Sequence, residues 1–130
     1  MQYPAGKSGG YQIPDGVTSI GDEAFAECSG LTSVVIEDGV TSIGDEAFSG
    51  CSSLTSIVIP WSVTSIGDEA FAECENLAGV YFAGFPPEPD GPDIFRNCPC
   101  IIHYVSGTVG WGEQYGGRPT AVWNQQEHPQ

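Results

Sequence analysis

The stretch "SVTSIGDEAFAEC" occupies residues 62–74 and decides the fold, because the chain contains three versions of it. Near-copies stand at residues 16–28 ("GVTSIGDEAFAEC") and 39–51 ("GVTSIGDEAFSGC"), which sets a period of 23 residues. When the three copies are aligned at this period, their apolar positions coincide. A fixed period of this length indicates a stack of similar coils, in which each coil buries its apolar face against the next.

The composition excludes several classes of partner. The 130 residues are enough for one domain, and 17 acidic against 3 basic residues give a formal net charge of −14. Nucleic acids and anionic membrane surfaces both require Lys and Arg contacts, so neither is expected as a partner. No apolar run approaches the roughly 20 residues that a membrane-spanning helix needs. The first residues lack the apolar segment of a secretion signal, so we expect either an intracellular protein or part of a longer one.

Each repeat contains a strand pattern followed by a turn pattern. The segments "LTSVVIE", "LTSIVIP" and "LAGVYFA" are rich in β-branched and apolar residues and predict short strands that pair in a parallel ladder about 4.8 Å apart. The following "GDEAF" predicts one helical turn, with Asp68 at the N-cap and Glu69 in the first turn. The expected fold class is therefore α/β: a mostly β solenoid of right-handed coils with a parallel β-ladder and short helical turns.

The repeat also sets the organisation of the chain. We predict a single domain, 1–130, in which the first rung is partial and the last repeat is irregular because four prolines replace its usual residues. Its parts are the N-terminal flank with the partial rung (1–12), three 23-residue repeats (13–81), the irregular last repeat (82–105), a C-terminal cap (106–123) and a solvated tail (124–130). Trp111, Tyr115 and Trp123 are predicted to cover the exposed end of the core.

The five cysteines do not predict a disulfide framework. Cys28, Cys51 and Cys74 are 23 residues apart and Cys98 follows after 24, so they are one repeat position recurring. We expect them to be buried free thiols that pack as small apolar groups. Zinc bound by Cys98, Cys100 and His103 would have three ligands where a structural site needs four. No metal or other cofactor is therefore predicted.

The segment "CSSLTSIVIPWSVTSIGDEAFAEC" resembles the BspA-type leucine-rich repeat, whose motif is C-x-x-L-x-x-I-x-I-P-x-x-V-x-x-I-G-x-x-A-F-x-x-C. The resemblance covers about residues 11–105, and the tail "HYVSGTVGWGEQYGGRPTAVW" is similar to the C-terminal cap of such proteins. It implies a leucine-rich-repeat solenoid that is secreted or attached to a cell surface and acts in adhesion. It supplies no catalytic residues, and no catalytic motif occurs in the sequence, so an enzyme is not expected.

The outward residues at the centre of the predicted ladder form the leading candidate site. Counting by the period places Gln12, Val35, Val58, Tyr81 and His103 in one row on the concave face. Trp61 breaks the repeat, because it stands where the other copies have aspartate, and is predicted near the rim of that face. Exposed apolar and aromatic residues mark interaction sites, so we predict recognition of an unidentified protein partner there.

Two alternatives remain open from the sequence. The chain could be a structural terminal segment of a larger array, self-associating through an exposed ladder edge at "YQIP" (11–14). Alternatively, its ladders of acidic and hydroxyl side chains could bind carbohydrate or Ca²⁺. The candidate ladders are Asp22–Asp45–Asp68, Glu23–Glu46–Glu69, Thr18–Thr41–Thr64 and Ser19–Ser42–Ser65.

Overall fold

A computed structural model describes residues 9–89, 91 and 93–123 of the chain. This part contains eleven β-strands and no helix. The strands are β1 (Gly9–Gln12), β2 (Ser19–Ile20), β3 (Leu31–Val35), β4 (Ser42–Ile43), β5 (Ser56–Ile59), β6 (Ser65–Ile66), β7 (Gly79–Phe82), β8 (Glu88–Pro89), β9 (Ile101–Val105), β10 (Gln114–Tyr115) and β11 (Arg118–Trp123). Within these described ranges, no helix could cross a membrane.

The strands form parallel ladders along two sides of a β-solenoid. On the first side, β1 pairs with β3, while β5, β7, β9 and β11 follow one another in parallel and β10 closes the edge antiparallel to β11. The predicted ladder is present but interrupted, because β3 and β5 are neighbours without strand pairing. On the second side, β2, β4, β6 and β8 pair in parallel, so the "TSI" segments form a second sheet.

The predicted helical turns are wrong, and with them the α part of the α/β class. After each aspartate, the backbone enters the left-handed region, with φ of 61° at Glu23, 56° at Glu46 and 57° at Glu69. A second left-handed residue follows four positions later, at Glu27, Gly50 and Glu73. An α-helix requires consecutive right-handed residues, so it cannot continue through these positions.

Hydrogen bonding gives the physical reason for this turn. Residues alternate between bonds inside the turn and bonds to the next coil: Ala24 N–H donates to the Gly21 carbonyl at 3.2 Å, whereas Phe25 N–H donates to the Ala47 carbonyl at 2.7 Å. The same alternation recurs in the next coil, where Phe48 N–H donates to Ala70 O at 2.8 Å. Half of the backbone N–H groups in the turn therefore donate to the next coil and not to a carbonyl of their own turn. These bonds stabilise the stacking of coils, and they are not available to an α-helix.

The repeated apolar positions form the buried core of the solenoid. One row of phenylalanine rings runs along the solenoid with centroid separations of 5.0, 5.3 and 5.6 Å. It consists of Phe25, Phe48, Phe71 and Phe95, all buried. Each coil therefore presents the same apolar surface to its neighbours, which explains why the sequence repeats.

Aromatic residues from the C-terminal part pack against the last coils. Trp111 and Tyr115 lie against Phe82 with ring centroids 5.0 and 5.4 Å away, so they cover that end of the core. The Tyr115 hydroxyl donates to the Pro87 carbonyl at 2.7 Å. Trp123 lies elsewhere, with its ring 5.2 Å from that of Tyr81.

Candidate binding surfaces

The outward row of the first ladder is continuous over its C-terminal strands. Strand register places Val58 beside Tyr81, Tyr81 beside His103, and His103 beside Ala121. The rings of Tyr81 and His103 stack with centroids 4.4 Å apart and planes 8° apart. Both rings are half-buried, so the stacked pair is partly accessible to solvent. Ala121 was not predicted in this row, because the last crossing has a shorter period than the repeat.

Packing fixes the orientation of Tyr81. A Cβ added at Gly79 would lie 2.8 Å from the Tyr81 ring, so the ring covers the Gly79 backbone. Gly79 is buried for this reason, although the alternation predicts an outward position. Trp123 meets the Tyr81 ring edge-on at 68°. Burial lowers the pKa of His103, which favours its neutral imidazole.

The N-terminal part of the predicted row lies on the separate β1–β3 pair. Strand register places Gln12 beside Val35, and the Val35 side chain is 53% exposed. The Gln12 amide donates to the Glu37 carboxylate at 2.6 Å. Gln12 and Val35 therefore share the predicted face, but no strand pairing connects Val35 to Val58.

Trp61 lies at a corner between coils and is 66% exposed. The Gly39 N–H donates to Ser62 Oγ at 3.0 Å, which holds the Asp38 corner beside the Trp61 corner. On the other side, Gly84 packs so closely that a Cβ there would lie 2.8 Å from the Trp61 Cα. Trp61, Gly84, Phe85 and Val109 line a hollow of about 500 Å³, with Ala83, Gly107 and Thr108. Phe85 and Val109 were not predicted here, because they fall in the irregular last repeat and the cap, outside the repeated pattern.

The aspartates on the turn side act as backbone acceptors. Asp22 Oδ1 accepts from the Asp45 N–H, and Asp45 Oδ1 accepts from the Asp68 N–H, both at 2.9 Å. The aspartate therefore satisfies a donor in the next coil, not the start of its own helix as predicted. Asp68 Oδ1 is buried and has no such partner.

The glutamates next to them form a repulsive row. Burial raises the pKa of Glu46, and the carboxylates of Glu23 and Glu69 raise it further. Arg96 opposes this charge, with Nη2 3.1 Å from Glu69 Oε1 and Nε 3.3 Å from Glu73 Oε2. Carboxylates of Asp68, Glu69 and Asp93 come within 4.8 Å of one another, but Glu69 is already paired with Arg96.

The cysteine side chains are buried thiols, as their spacing suggests. Cys51 Sγ donates to the Phe25 carbonyl at 3.1 Å, and Cys74 Sγ to the Phe48 carbonyl at 3.0 Å. Burial raises the pKa of Cys51 to about 12 and raises that of Cys74 as well. Cys98 and Cys100 hydrogen-bond to each other, which lowers the pKa of Cys98 and raises that of Cys100. His103 stacks on Tyr81 on the outer face, away from these core thiols.

Comparison with known proteins agrees with this architecture. The family model described as BspA type leucine rich repeat region matches residues 9–105 in 6 copies. A leucine-rich repeat protein from Eubacterium ventriosum ATCC 27560 is 31% identical, with a TM-score of 0.68 over 80% of this chain and 28% of its own. The T. pallidum leucine rich repeat protein is 25% identical, with a TM-score of 0.61 over 75% of this chain and 59% of its own.

A third solved structure is a leucine rich cell surface protein from Faecalibacterium prausnitzii A2-165. It is 32% identical, with a TM-score of 0.54 over 83% of this chain and 35% of its own. The chain thus spans less than two thirds of each of these three proteins. No curated protein matches it.

Proposed function

Because the chain belongs to the BspA-type leucine-rich repeat family, we propose that it is a non-catalytic binding module that recognises a protein through the outward face of its first ladder. The stacked Tyr81–His103 pair carries this proposal. It offers a stacked aromatic surface beside the half-buried Val58, and aromatic anchors of this kind supply much of the energy at protein interfaces. We propose a cell surface as the setting, because the F. prausnitzii protein is described as a cell surface protein, and adhesion as the role of the chain there.

A random-peptide display library panned on the wild-type protein tests this proposal. We expect selected peptides to lose binding to a Val35→Ser/Val58→Asp double variant, since both side chains lie on the proposed face. Val122→Ser is the matched control, because Val122 is 58% exposed, close to the 53% of Val35, but pairs with Tyr104 outside the row. Peptides that bind the double variant and the wild type equally well would refute the proposed face.

Tyr81 is unsuitable as the test residue, although it is central to the surface. Its ring packs on Gly79, His103 and Trp123, so Tyr81→Ala would also remove structural contacts. A conservative His103→Gln variant is better, because it removes the stacked ring but keeps a polar planar side chain. We expect weaker peptide binding by this variant, with a thermal midpoint that remains close to that of the wild type.

A carbohydrate site on the turn side is a second candidate function. A polar hollow of about 500 Å³ is lined by hydroxyls and carboxylates, the groups that hydrogen-bond sugars. Its polar residues are Asp22, Ser42, Asp45, Ser65 and Glu88. Binding of an oligosaccharide on a glycan array that is lost in a Ser42→Ala/Ser65→Ala variant would favour this function over protein recognition.

A further inference from the structure

Three exposed apolar side chains converge on one hollow outside the concave face. Trp61 is 66% exposed, Phe85 67% and Val109 71%, and all three line the same hollow of about 500 Å³. They are the most exposed large hydrophobic residues in the described part of the chain. None belongs to the repeated pattern, because Trp61 replaces an aspartate and the other two lie in the last repeat and the C-terminal part. An apolar cluster of this kind marks an interaction site.

Backbone contacts preform this hollow, which we call the corner groove (Trp61, Ala83–Phe85, Gly107–Val109). The Trp111 indole N–H donates to the Gly84 carbonyl at 3.2 Å and fixes the corner that carries Phe85. Gly84 packs directly on the Trp61 backbone, where a side chain would not fit. The turn that carries Val109 is closed by a hydrogen bond of 3.1 Å from Thr108 N–H to the Val105 carbonyl. The groove therefore needs little reorganisation on binding.

The charges around the corner groove identify the chemistry of its occupant. Asp38 occupies the same corner position one coil before Trp61, and the Gly39–Ser62 hydrogen bond holds these two corners together. The carboxylate of Glu37, which precedes Asp38, is held by the Gln12 amide of the preceding coil. Neither arginine lines the groove: Arg96 pairs with Glu69 and Glu73, and Arg118 donates to the Cys100 carbonyl at 2.8 Å. The apolar groove thus lies one coil from the exposed carboxylate of Asp38, on a chain with a formal net charge of −14.

We infer that the corner groove binds a protein segment in which an aliphatic or aromatic side chain is flanked by lysine or arginine. The apolar side chain fills the hollow between Trp61, Phe85 and Val109, while a flanking cation faces Asp38. The inference rests on the proposed function in taking the chain to recognise protein, but it uses different residues. Electrostatic complementarity accelerates encounter and selects the partner, while the apolar contact supplies most of the affinity.

Synthetic peptides and the indole resonances of the protein provide the test. The probe is acetyl-Gly-Lys-Leu-Lys-Gly-amide, compared with versions in which glutamates replace the lysines or serine replaces leucine. The chain has 3 tryptophans, and the Trp61 indole N–H resonance is identified by its loss in Trp61→Ala. We expect the lysine–leucine peptide to shift this resonance in a saturable titration that weakens with added salt, and we expect at least about tenfold weaker binding of both comparison peptides.

Variants separate this groove from the concave face. Trp61→Ala and Val109→Ser should each weaken peptide binding by about tenfold, and Asp38→Asn should weaken it less while reducing its salt dependence. Val122→Ser, an exposed valine outside the groove, should leave it unchanged. The Val35→Ser/Val58→Asp variant should also retain it, so that failure of the groove and failure of the concave face give different results.

Three outcomes would overturn the inference. The first is an equal response to the lysine and glutamate peptides, which would remove the role of charge. The second is a shift of the Trp61 resonance with protein concentration alone, which would make a second copy of the chain the occupant. The third is a stronger shift with a neutral oligosaccharide than with any peptide, which would make the groove a sugar site.

Discussion

The glycine before each aspartate offers a sharp test of the stacking geometry. Gly21, Gly44 and Gly67 occupy the same position of the repeat, and none has a φ in the left-handed region, so alanine is allowed by the backbone at each. A Cβ at Gly67 would nevertheless lie 2.5 Å from the Asp45 backbone nitrogen and 2.5 Å from the Gly44 carbonyl carbon. At Gly21, a Cβ would meet nothing within 4 Å among the described residues. Replacement by alanine therefore tests the close contact between coils at Gly67, and the same replacement at Gly21, where no described residue makes such a contact, is the control.

The expected loss for Gly67→Ala follows from three contributions. Overpacking against fixed backbone costs about 1–3 kcal/mol, because the two coils must separate by roughly 1 Å to reach ordinary contact distance. Separation also weakens the 2.9 Å hydrogen bond from Asp68 N–H to Asp45 Oδ1, a charged bond worth about 1.5–3 kcal/mol when intact. Alanine also restricts the unfolded chain more than glycine does, which raises the free energy of unfolding by about 0.4–1 kcal/mol. The free energy of unfolding should thus fall by about 2–4 kcal/mol, whereas Gly21→Ala should raise it by up to about 1 kcal/mol.

Urea unfolding followed by tryptophan fluorescence measures both variants in one assay. A lower midpoint for Gly67→Ala at an unchanged slope would indicate lost stability of the folded state. Gly44→Ala should behave like Gly67→Ala, since its Cβ would lie 2.7 Å from the Asp22 backbone nitrogen. If Gly67→Ala and Gly21→Ala differed by less than about 0.5 kcal/mol, the close approach of successive coils would be wrong.

Three further predictions concern the turn side and the core. Burial and the neighbouring carboxylates raise the folded-state pKa of Glu46, so its protonated form favours folding and that stability is lost as pH rises through the folded pKa. Glu46→Gln should therefore raise the melting temperature at pH 7 more than at pH 4, most at low salt, and an equal effect at both pH values would contradict the repulsion. Asp45→Ala should lower the free energy of unfolding by about 1–3 kcal/mol, because the Asp68 N–H loses its acceptor. Asp68→Ala should cost less than half as much, because Asp68 Oδ1 accepts no hydrogen bond from a described residue, and equal losses in urea titrations would contradict the aspartate ladder. Cys51, whose pKa burial raises to about 12, should resist iodoacetamide at pH 8 until the chain unfolds, and mass spectrometry that found it alkylated in the native protein would disprove its burial.

The repeat made much of the fold predictable from the sequence. An apolar row could be predicted because one position of the repeat is always phenylalanine, at Phe25, Phe48 and Phe71. The rings of these residues are stacked in the structure. The strands of the first ladder were predictable for the same reason, since β-branched residues recur at each rung, whereas the second sheet of β2, β4, β6 and β8 was not predicted. The turn was not, because Asp68 and Glu69 fit a helix N-terminus when a single coil is considered. Hydrogen bonds between coils decide the conformation, and sequence propensity within one coil does not include them.

The candidate surfaces were predictable only where the period holds. Counting by 23 places Val58 and Tyr81 in one row, and the strand register agrees. The same counting leaves out Phe85 and Val109, because their surroundings depend on how an irregular repeat folds against a turn near the C-terminal strands. Trp61 could be singled out because it departs from its copies, but its neighbours in the corner groove could not.

The alternating hydrogen bonds of the turns have a consequence for synthesis on the ribosome. In each turn, every second N–H donates to a carbonyl of the coil that follows it in the chain, as Glu23 donates to Asp45 and Glu46 donates to Asp68, both at 2.9 Å. A newly emerged coil therefore lacks its acceptors until a further 22 or 23 residues have left the exit tunnel. Each coil therefore completes its hydrogen bonds only after the next coil has been synthesised. In the third repeat, the N–H groups of Phe71 and Glu73 find their acceptors when the carbonyls of Ile94 and Arg96 have emerged.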